Sequence, residues 1–298
     1  MADTSTKDYV GRFAPSPTGP LHLGSLVAAL ASYLDARHCN GKWLVRIEDI
    51  DPPREIPGAA DAILKTLEAH GLHWDSEITY QSCNTERYEQ AITRLSDLQR
   101  TFHCQCSRQQ LQNHSIYPGT CRKTKPQQGA ETAIRLKVDG LACSFLDLVQ
   151  GQQDAKLETT IGDFVIRRKD GLFSYQLAVA LDDHFQGITR VVRGADLLDS
   201  SLRQIAILQL LGAKLPEYAH IPVLTDQYGE KLSKQTQAAA LQAKRASENL
   251  VLALLCLNHS VPEGLKRDST EAILDWAEKN WQLSNVSKKK ATSITATN

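Results

Sequence analysis

Two separated segments carry residue types suited to work on phosphate. In the first, Arg12 and Phe13 lead through Ala14, Pro15, Ser16, Pro17, Thr18, Gly19 and Pro20 into Leu21, His22, Leu23, Gly24 and Ser25. Three prolines stiffen this stretch, its glycines open it, and an apolar helical pattern follows. A strand that passes through such a loop into a helix leaves backbone N–H groups at the helix start, where a phosphate docks, and His22 would point at it. On composition alone the stretch reads equally as an ordinary strand-loop-helix connection with a surface histidine. Neither GxxxxGK[ST] nor GxGxxG occurs, so P-loop and dinucleotide readings are unsupported. The second segment, about 200 residues later, is Lys231, Leu232, Ser233, Lys234 and Gln235, behind Gly229. Its two lysines can supply mobile positive charge to a polyphosphate from which pyrophosphate departs, although alone such a loop is more often solvated surface.

A third cluster suits a metal. Cys104 and Cys106 are followed by Tyr117 and Cys121, and three thiolates at this spacing form three corners of a tetrahedral zinc site. His103, His114 and Tyr117 compete for the fourth corner, histidine being the better ligand chemically; the competing reading is thiols that hold no metal. The seven cysteines are odd in number, and Cys104 and Cys106 are too close to bridge, so the thiols are expected reduced or metal-bound. Cys39, Cys83, Cys143 and Cys256 are isolated and read as core or surface thiols.

The elements that must position these residues follow from patterning over 298 residues, with 42% apolar residues and 34 basic against 34 acidic side chains. This is globular composition, with length for one large or two medium domains. No apolar run approaches the roughly 20 residues of a membrane span, and no signal-peptide core opens the chain, so a soluble, cytoplasmic protein with no membrane partner is expected. Net neutrality argues against indiscriminate nucleic-acid binding but not against a local basic face. Short strand-like runs alternate with helical ones: a strand over 9–13, a helix from near Gly24, a strand over 43–47 and an amphipathic helix over 58–70. From 101 the pattern changes to a Cys-rich stretch with strands over 132–138 and 164–167. A strand over 189–192, a helix over 197–211 and a strand over 221–224 then resume the sheet. Beyond 238 the pattern is mostly helical, and 288–298 has too little apolar content to pack. The expected class is α/β: a Rossmann-type parallel sheet in two halves (1–100 and 175–237), an inserted zinc-binding subdomain (101–174) and a small helical C-terminal domain (238–298).

Taken together and in this order, the first two segments resemble the HIGH and KMSKS signatures of class I aminoacyl-tRNA synthetases. The likeness extends to Arg46, Ile47, Glu48, Asp49, Ile50, Asp51 and Arg54, to Asp182, Asp183 and His184, and to Arg193 with Gly194, all of which look like the glutamyl-tRNA synthetase family over about 9–240. Only about 60 residues follow the lysine loop, where that family carries a large anticodon-binding region, and Ser25, Leu26, Val27 and Ala28 stand where full-length members carry a Gly-Ala-Arg-Thr-like run. The chain therefore resembles a short paralogue of the family that attaches glutamate to the queuosine base of tRNA(Asp). Its insertion, by the same resemblance, is similar to the family's acceptor-binding domain, and its CxC, Tyr, Cys order implies Tyr117 as fourth ligand of one structural Zn2+.

Glutamate presents two carboxylates and one ammonium, so a specific site wants two guanidinium donors and an acidic acceptor. The resemblance places Arg12 and Arg193 as donors, Glu48 as acceptor and Tyr175 as an orienting hydroxyl, with Phe13, Ala14, Pro15 and Ser16 also against glutamate. Without it, Arg12 and Glu48 read as an internal ion pair bracing the sheet. One departure is Val179, where the family carries a substrate-touching Asn. For ATP, which arrives with Mg2+, the resemblance implies His22, Gly24, Ser25 and Lys234, with His22 and Lys234 on the transition-state phosphates and Lys231 in a lesser electrostatic role. Ser25 stands in place of the last His of HIGH. Expected partners are ATP, L-glutamate and queuosine-containing tRNA(Asp), bound by a monomer. Basic runs at Arg122, Lys123 and Lys125, at Arg167, Arg168 and Lys169, and at Lys244 and Arg245 are candidate RNA contacts.

Overall fold

The computed structural model describes residues 9–226, 229–231 and 239–293; Lys234 and its neighbours Ser233 and Gln235 lie outside the described residues. Strand β1 (Val10–Phe13) pairs in parallel with β2 (Lys42–Ile47) across helix α1 (Leu23–His38), with Arg12 opposite Leu44 and Phe13 opposite Val45. Helix α2 (Ala59–Ala69) then leads to the short β3 (Thr79–Tyr80), parallel to β2, and to α3 (Thr85–Asp97). Helix α1 is buried on nearly every side from Leu26 to Ala36, which explains its lack of a polar face.

The stretch after 100 divides between two sheets. Strands β4 (Thr101–Cys104), β5 (Ala133–Leu136) and β8 (Phe164–Arg167) form an antiparallel sheet of their own, with the short helices α4 (Arg108–Leu111) and α5 (Leu157–Thr160) beside them. The hairpin β6 (Ala142–Asp147) and β7 (Gly151–Lys156) instead joins the sheet of the second half, β6 lying parallel to β10 (Glu217–Ile221) with Asp147 opposite Tyr218. The expected insertion is thus continuous with the main body along one strand.

After α6 (Tyr175–Phe185), strand β9 (Arg190–Gly194), helix α7 (Leu198–Leu211) and β10 (Glu217–Ile221) make a counterpart of the first half, with β9 and β10 in parallel register. The halves meet where Thr189 N–H donates to Val10 O at 2.9 Å and Val10 N–H donates to Thr189 Oγ1 at 2.9 Å. Strand β9 therefore lies against β1, and the loops leaving the carboxyl ends of both face one crevice, the place where open α/β sheets bind ligands.

Two expectations about the C-terminus need correction. Helices α8 (Ala246–Cys256) and α9 (Thr270–Asn280) are no separate domain, because Leu250, Leu254, Ile273 and Trp281 share one core with Leu26, Leu30 and Leu34 of α1. The tail also packs: β12 (Ala291–Ser293) lies parallel to β11 (Val223–Thr225), and Val223 N–H donates to Lys290 O at 3.0 Å. Backbone pairing along an open strand edge, which needs no apolar side chain, holds it there. Because the C-terminal helices complete the α1 core, Leu254→Ala should destabilise the whole protein by about 2–5 kcal/mol. A thermal melt followed by circular dichroism checks this; a variant that melts like the parent would mean that these helices fold apart from the sheet.

Candidate active site

The proline loop is pinned at both sides before it reaches α1. Glu48 N–H donates to Pro15 O at 3.0 Å, Ile56 N–H to Pro17 O at 2.9 Å, and Thr18 N–H to Ser16 O at 2.8 Å. Phe13, behind the loop, stacks on Trp43 with ring centroids 6.5 Å apart. His22 is the N-cap of α1: its Nδ1 accepts from Ser25 N–H at 3.3 Å while Ser25 Oγ accepts from His22 N–H at 3.4 Å, a capping box. The cap uses the Ser25 amide that was expected to await a phosphate, and because Nδ1 is an acceptor the ring proton sits on Nε2. Ser25 therefore fixes the tautomer of His22.

His22, Gly24 and Ser25 line a cleft of about 280 Å³ together with Asp196, Pro222 and Lys231. Lys231 Nζ reaches Asp196 Oδ2 at 2.5 Å, an ion pair that ties the lysine loop to the end of β9. Gly194 is required there, since a Cβ would come within 2.6 Å of Asp196 Oδ1 and 3.1 Å of Val223 Cγ1. A second cleft of about 240 Å³ is lined by Glu48, Asp51, Gln81, Arg168 and Tyr175. Ser16 and Thr18 line both clefts, so the two chambers adjoin across the proline loop.

Beneath the second cleft lies a buried charge network. Arg12 donates to both Asp183 oxygens, at 3.0 and 3.1 Å, and Arg46 Nη1 lies 2.9 Å from Asp183 Oδ1. Arg46 also reaches Glu48 Oε1 at 3.4 Å, while Asp182 accepts from Tyr88, Gln81 and Asn84 at 2.7, 2.8 and 3.1 Å. The ion pair between Arg12 and Glu48 entertained from residue types is not formed; each has another partner. Burial raises the Asp183 carboxyl, but Arg12 and Arg46 outweigh it and hold it below the usual carboxylate range. Burial wins at Glu48, against Arg46 and Arg12, and pushes it up to about 7. Tyr175 is pushed up to about 12, by burial first and then by Glu48, against Arg193 and Arg12. Arg12, Glu48, Tyr175 and Arg193 are thus close enough to act on one another's charge.

Arg193 is anchored on three sides. Its Nε donates to His220 Nε2 at 3.1 Å, and its Nη2 donates to Ser201 Oγ and Gln204 Oε1, both at 2.8 Å. Val179 is fully buried in α6. Residue types alone did not single out Asp183, Arg46, Asp147 or His220 as a network; their one shared sign is a charged or polar side chain at an inward-facing strand or helix position.

At the edge of the antiparallel sheet, Cys104, Cys106 and Cys121 hold their sulfurs within 4.8 Å of one another, Cys106 Sγ to Cys121 Sγ being 3.5 Å. Sulfurs on one tetrahedral zinc stand about 3.8 Å apart, so the cluster fits a metal ion. Tyr117 Oη is 3.5 Å from Cys104 Sγ and 3.9 Å from Cys106 Sγ, and accepts from Cys121 N–H at 2.8 Å. His103 and His114 are exposed and outside the cluster, His103 being bonded to Thr132 Oγ1 at 2.9 Å. Several basic residues put forward as RNA contacts are engaged internally: Arg122 with Asp163 at 2.5 Å, Arg168 with Asp51 at 3.2 Å and Asp170 at 2.5 Å, and Arg245 with Glu248 at 2.6 Å.

A parallel sheet in two halves, with adjoining clefts over the carboxyl ends of its strands, defines an α/β protein with its ligand crevice at the junction of the halves. Residues 9–297 match the family model of the catalytic domain of class I tRNA synthetases (E and Q), and the chain belongs to that family. Within it, the chain is 50% identical over 290 residues to a glutamyl-Q tRNA(Asp) synthetase of Dechloromonas aromatica (strain RCB), covering 94% of this chain and 96% of that protein. A protein of the same name from Ectopseudomonas mendocina (strain ymp) is 49% identical over 284 residues, with 95% and 96% covered. Among solved structures, a glutamate tRNA ligase from Elizabethkingia meningosepticum CCUG26117, in complex with its amino acid, superposes with a TM-score of 0.80 at 24% identity, over 97% of this chain and 68% of that one. The expected class I parallel-sheet fold is therefore correct.

Removing the charge of Asp183 strands two buried guanidinium groups. Asp183→Asn should cost about 3–5 kcal/mol at neutral pH. Because the folded carboxyl lies below its unfolded value of about 3.9, the wild-type increment is present above that pH and is lost as pH falls through the lower folded value. Urea melts of both proteins across the acid range should converge only at the acid end.

Proposed function

We propose that the chain activates L-glutamate with ATP and transfers the glutamyl group to the queuosine base of tRNA(Asp). The observation that supports the activation step is the shared wall at Ser16 and Thr18: a carboxylate bound in the Tyr175 cleft would lie beside a phosphate bound in the His22 cleft. Near 50% identity over almost the full length of two glutamyl-Q tRNA(Asp) synthetases supports the acceptor.

Glutamate would enter the cleft of Glu48 and Tyr175, its ammonium on Glu48 and its carboxylates on Arg12 and Arg193. A carboxylate oxygen then attacks the α-phosphorus of ATP, the bond to the bridging oxygen breaks, and pyrophosphate leaves. Nothing in the protein becomes covalent; positioning and charge do the work. His22 donates through Nε2 to the phosphates, Lys231 and Lys234 offset the charge that grows on the leaving group, and Mg2+ accompanies the ATP. In the second step a hydroxyl of the queuosine cyclopentene diol attacks the glutamyl carbonyl, losing its proton, and AMP departs. The ester chemistry equals that at a terminal ribose, so the RNA geometry alone differs. A monomer in the cytoplasm suits this work.

Cys104, Cys106, Tyr117 and Cys121 would hold one zinc, which when bound supplies a structural cross-link near the RNA and takes no part in the chemistry. The Arg135 guanidinium lies over the Tyr117 ring, 4.1 Å from its centroid, and packs the ring beside the thiols.

Two outcomes are expected. Purified protein should catalyse glutamate-dependent exchange of pyrophosphate into ATP without RNA, and should load glutamate on queuosine-containing tRNA(Asp) but not on the same tRNA lacking queuosine. Charging of tRNA(Glu) at its 3′ end, with no transfer to queuosine, would replace this reading with ordinary glutamyl-tRNA synthesis. Elemental analysis should find about one zinc per chain, lost in Cys121→Ser and retained in His114→Ala; absence of zinc in the parent protein, or its loss with His114, would reject this ligand set.

A further inference from the structure

Arg193 donates to this chain's own residues from Nε and Nη2, yet its remaining nitrogen, Nη1, is buried with no partner among the described residues. An unpaired buried guanidinium nitrogen is costly, so a site that keeps one is built for an anion. What decides which nitrogen is left over is the group that takes Nε. That group is His220, which is fully buried and whose far side, Nδ1, lies 2.6 Å from Asp147 Oδ2.

The tautomer follows from the two neighbours. Asp147 is held as an acceptor, taking the N–H groups of Val149 at 3.0 Å, Gln150 at 2.8 Å and His220 at 3.1 Å, so the proton between ring and carboxylate belongs to Nδ1. Arg193 Nε can only donate, so His220 Nε2 must present its lone pair, beside which the Ser201 hydroxyl also lies at 3.1 Å. Burial lowers the His220 pKa against the hydrogen bond to Asp147, which keeps the ring neutral at neutral pH. Asp147 ends β6, the strand of the inserted stretch that pairs with β10, so that stretch reaches Arg193 through the Asp147 side chain and His220.

We propose that His220 is a positioning residue for amino-acid binding: fixed by Asp147 as the Nδ1–H tautomer, it accepts from Arg193 Nε and so turns the guanidinium to leave Nη1 for a carboxylate of the amino-acid substrate. The proposal rests on the reading of Arg193 as a carboxylate receptor. It assigns no contact between His220 and substrate, and none with ATP.

The test is ATP–pyrophosphate exchange with glutamate and ATP varied separately. His220→Asn keeps an amide donor for Asp147 but leaves no acceptor for Arg193, whereas His220→Gln returns an oxygen near the position of Nε2. His220→Asn should raise the KM for glutamate about tenfold or more, the loss of one well-placed charged hydrogen bond, with the KM for ATP and kcat at saturating glutamate within about twofold. His220→Gln should recover most of that loss, and Asp147→Asn, which releases the tautomer, should raise the glutamate KM in the same sense and serves if His220→Asn does not fold. An unchanged glutamate KM in a folded variant, an equal rise for both substrates, or no recovery with glutamine would overturn the proposal while leaving glutamate activation in place. Parent protein that shows no glutamate-dependent exchange would overturn the functional reading, and this proposal with it.

Discussion

Asp183 sits on α6, buried, and two arginines from neighbouring parallel strands converge on its carboxylate. Arg12 ends β1 and Arg46 ends β2, so this single group locks the helix of one half of the molecule to the two strands of the other. A carboxylate so placed costs several kcal/mol to desolvate, and only the two guanidinium partners with good geometry offset it. Everything at the site is arranged around that compensation. Arg12 is fixed with a direction, both terminal nitrogens of Arg46 engage carboxylates or Gln186, and Glu48 receives only a long contact from Arg46, its carboxyl pushed up to about 7.

The same economy of partners operates along the crevice. The proline loop has few conformations to lose, and the backbone bonds from Glu48 and Ile56 remove most of those that remain. His22 is then held by the helix it caps, and Lys231 by Asp196, so the groups facing the first cleft arrive with fixed geometry from three different elements. Preorganised donors of this kind act on developing charge without reorganising at the moment of reaction. The second cleft is built on the rigid network below it, and the wall between the two is three residues of loop backbone.

The stretch between 101 and 174 serves both structure and site. Its antiparallel sheet carries the thiol cluster at one edge, and Arg168 on its last strand's turn pairs with Asp51 across the mouth of the Tyr175 cleft. Its hairpin supplies Asp147, which orients His220 behind Arg193. The thiol cluster and the side chains that reach Arg193 and the Tyr175 cleft thus belong to one stretch of chain.

By itself the sequence determined the elements and the chemistry of the loops. Alternating strand and helix periods are local, so β1, α1, β2, α2, β9 and α7 were legible within a few residues, as were the proline loop and the Cys104, Cys106, Cys121 spacing. Tertiary structure alone decided the partners. Arg12 meets Asp183 across 171 residues and His220 meets Asp147 across 73, and no periodicity encodes which charged side chain will face which across packed elements. The same holds for α8 and α9, whose apolar faces announced helices but not the α1 core that they complete. It holds also for β12, which backbone hydrogen bonds to an open edge place there and side-chain composition could not reveal.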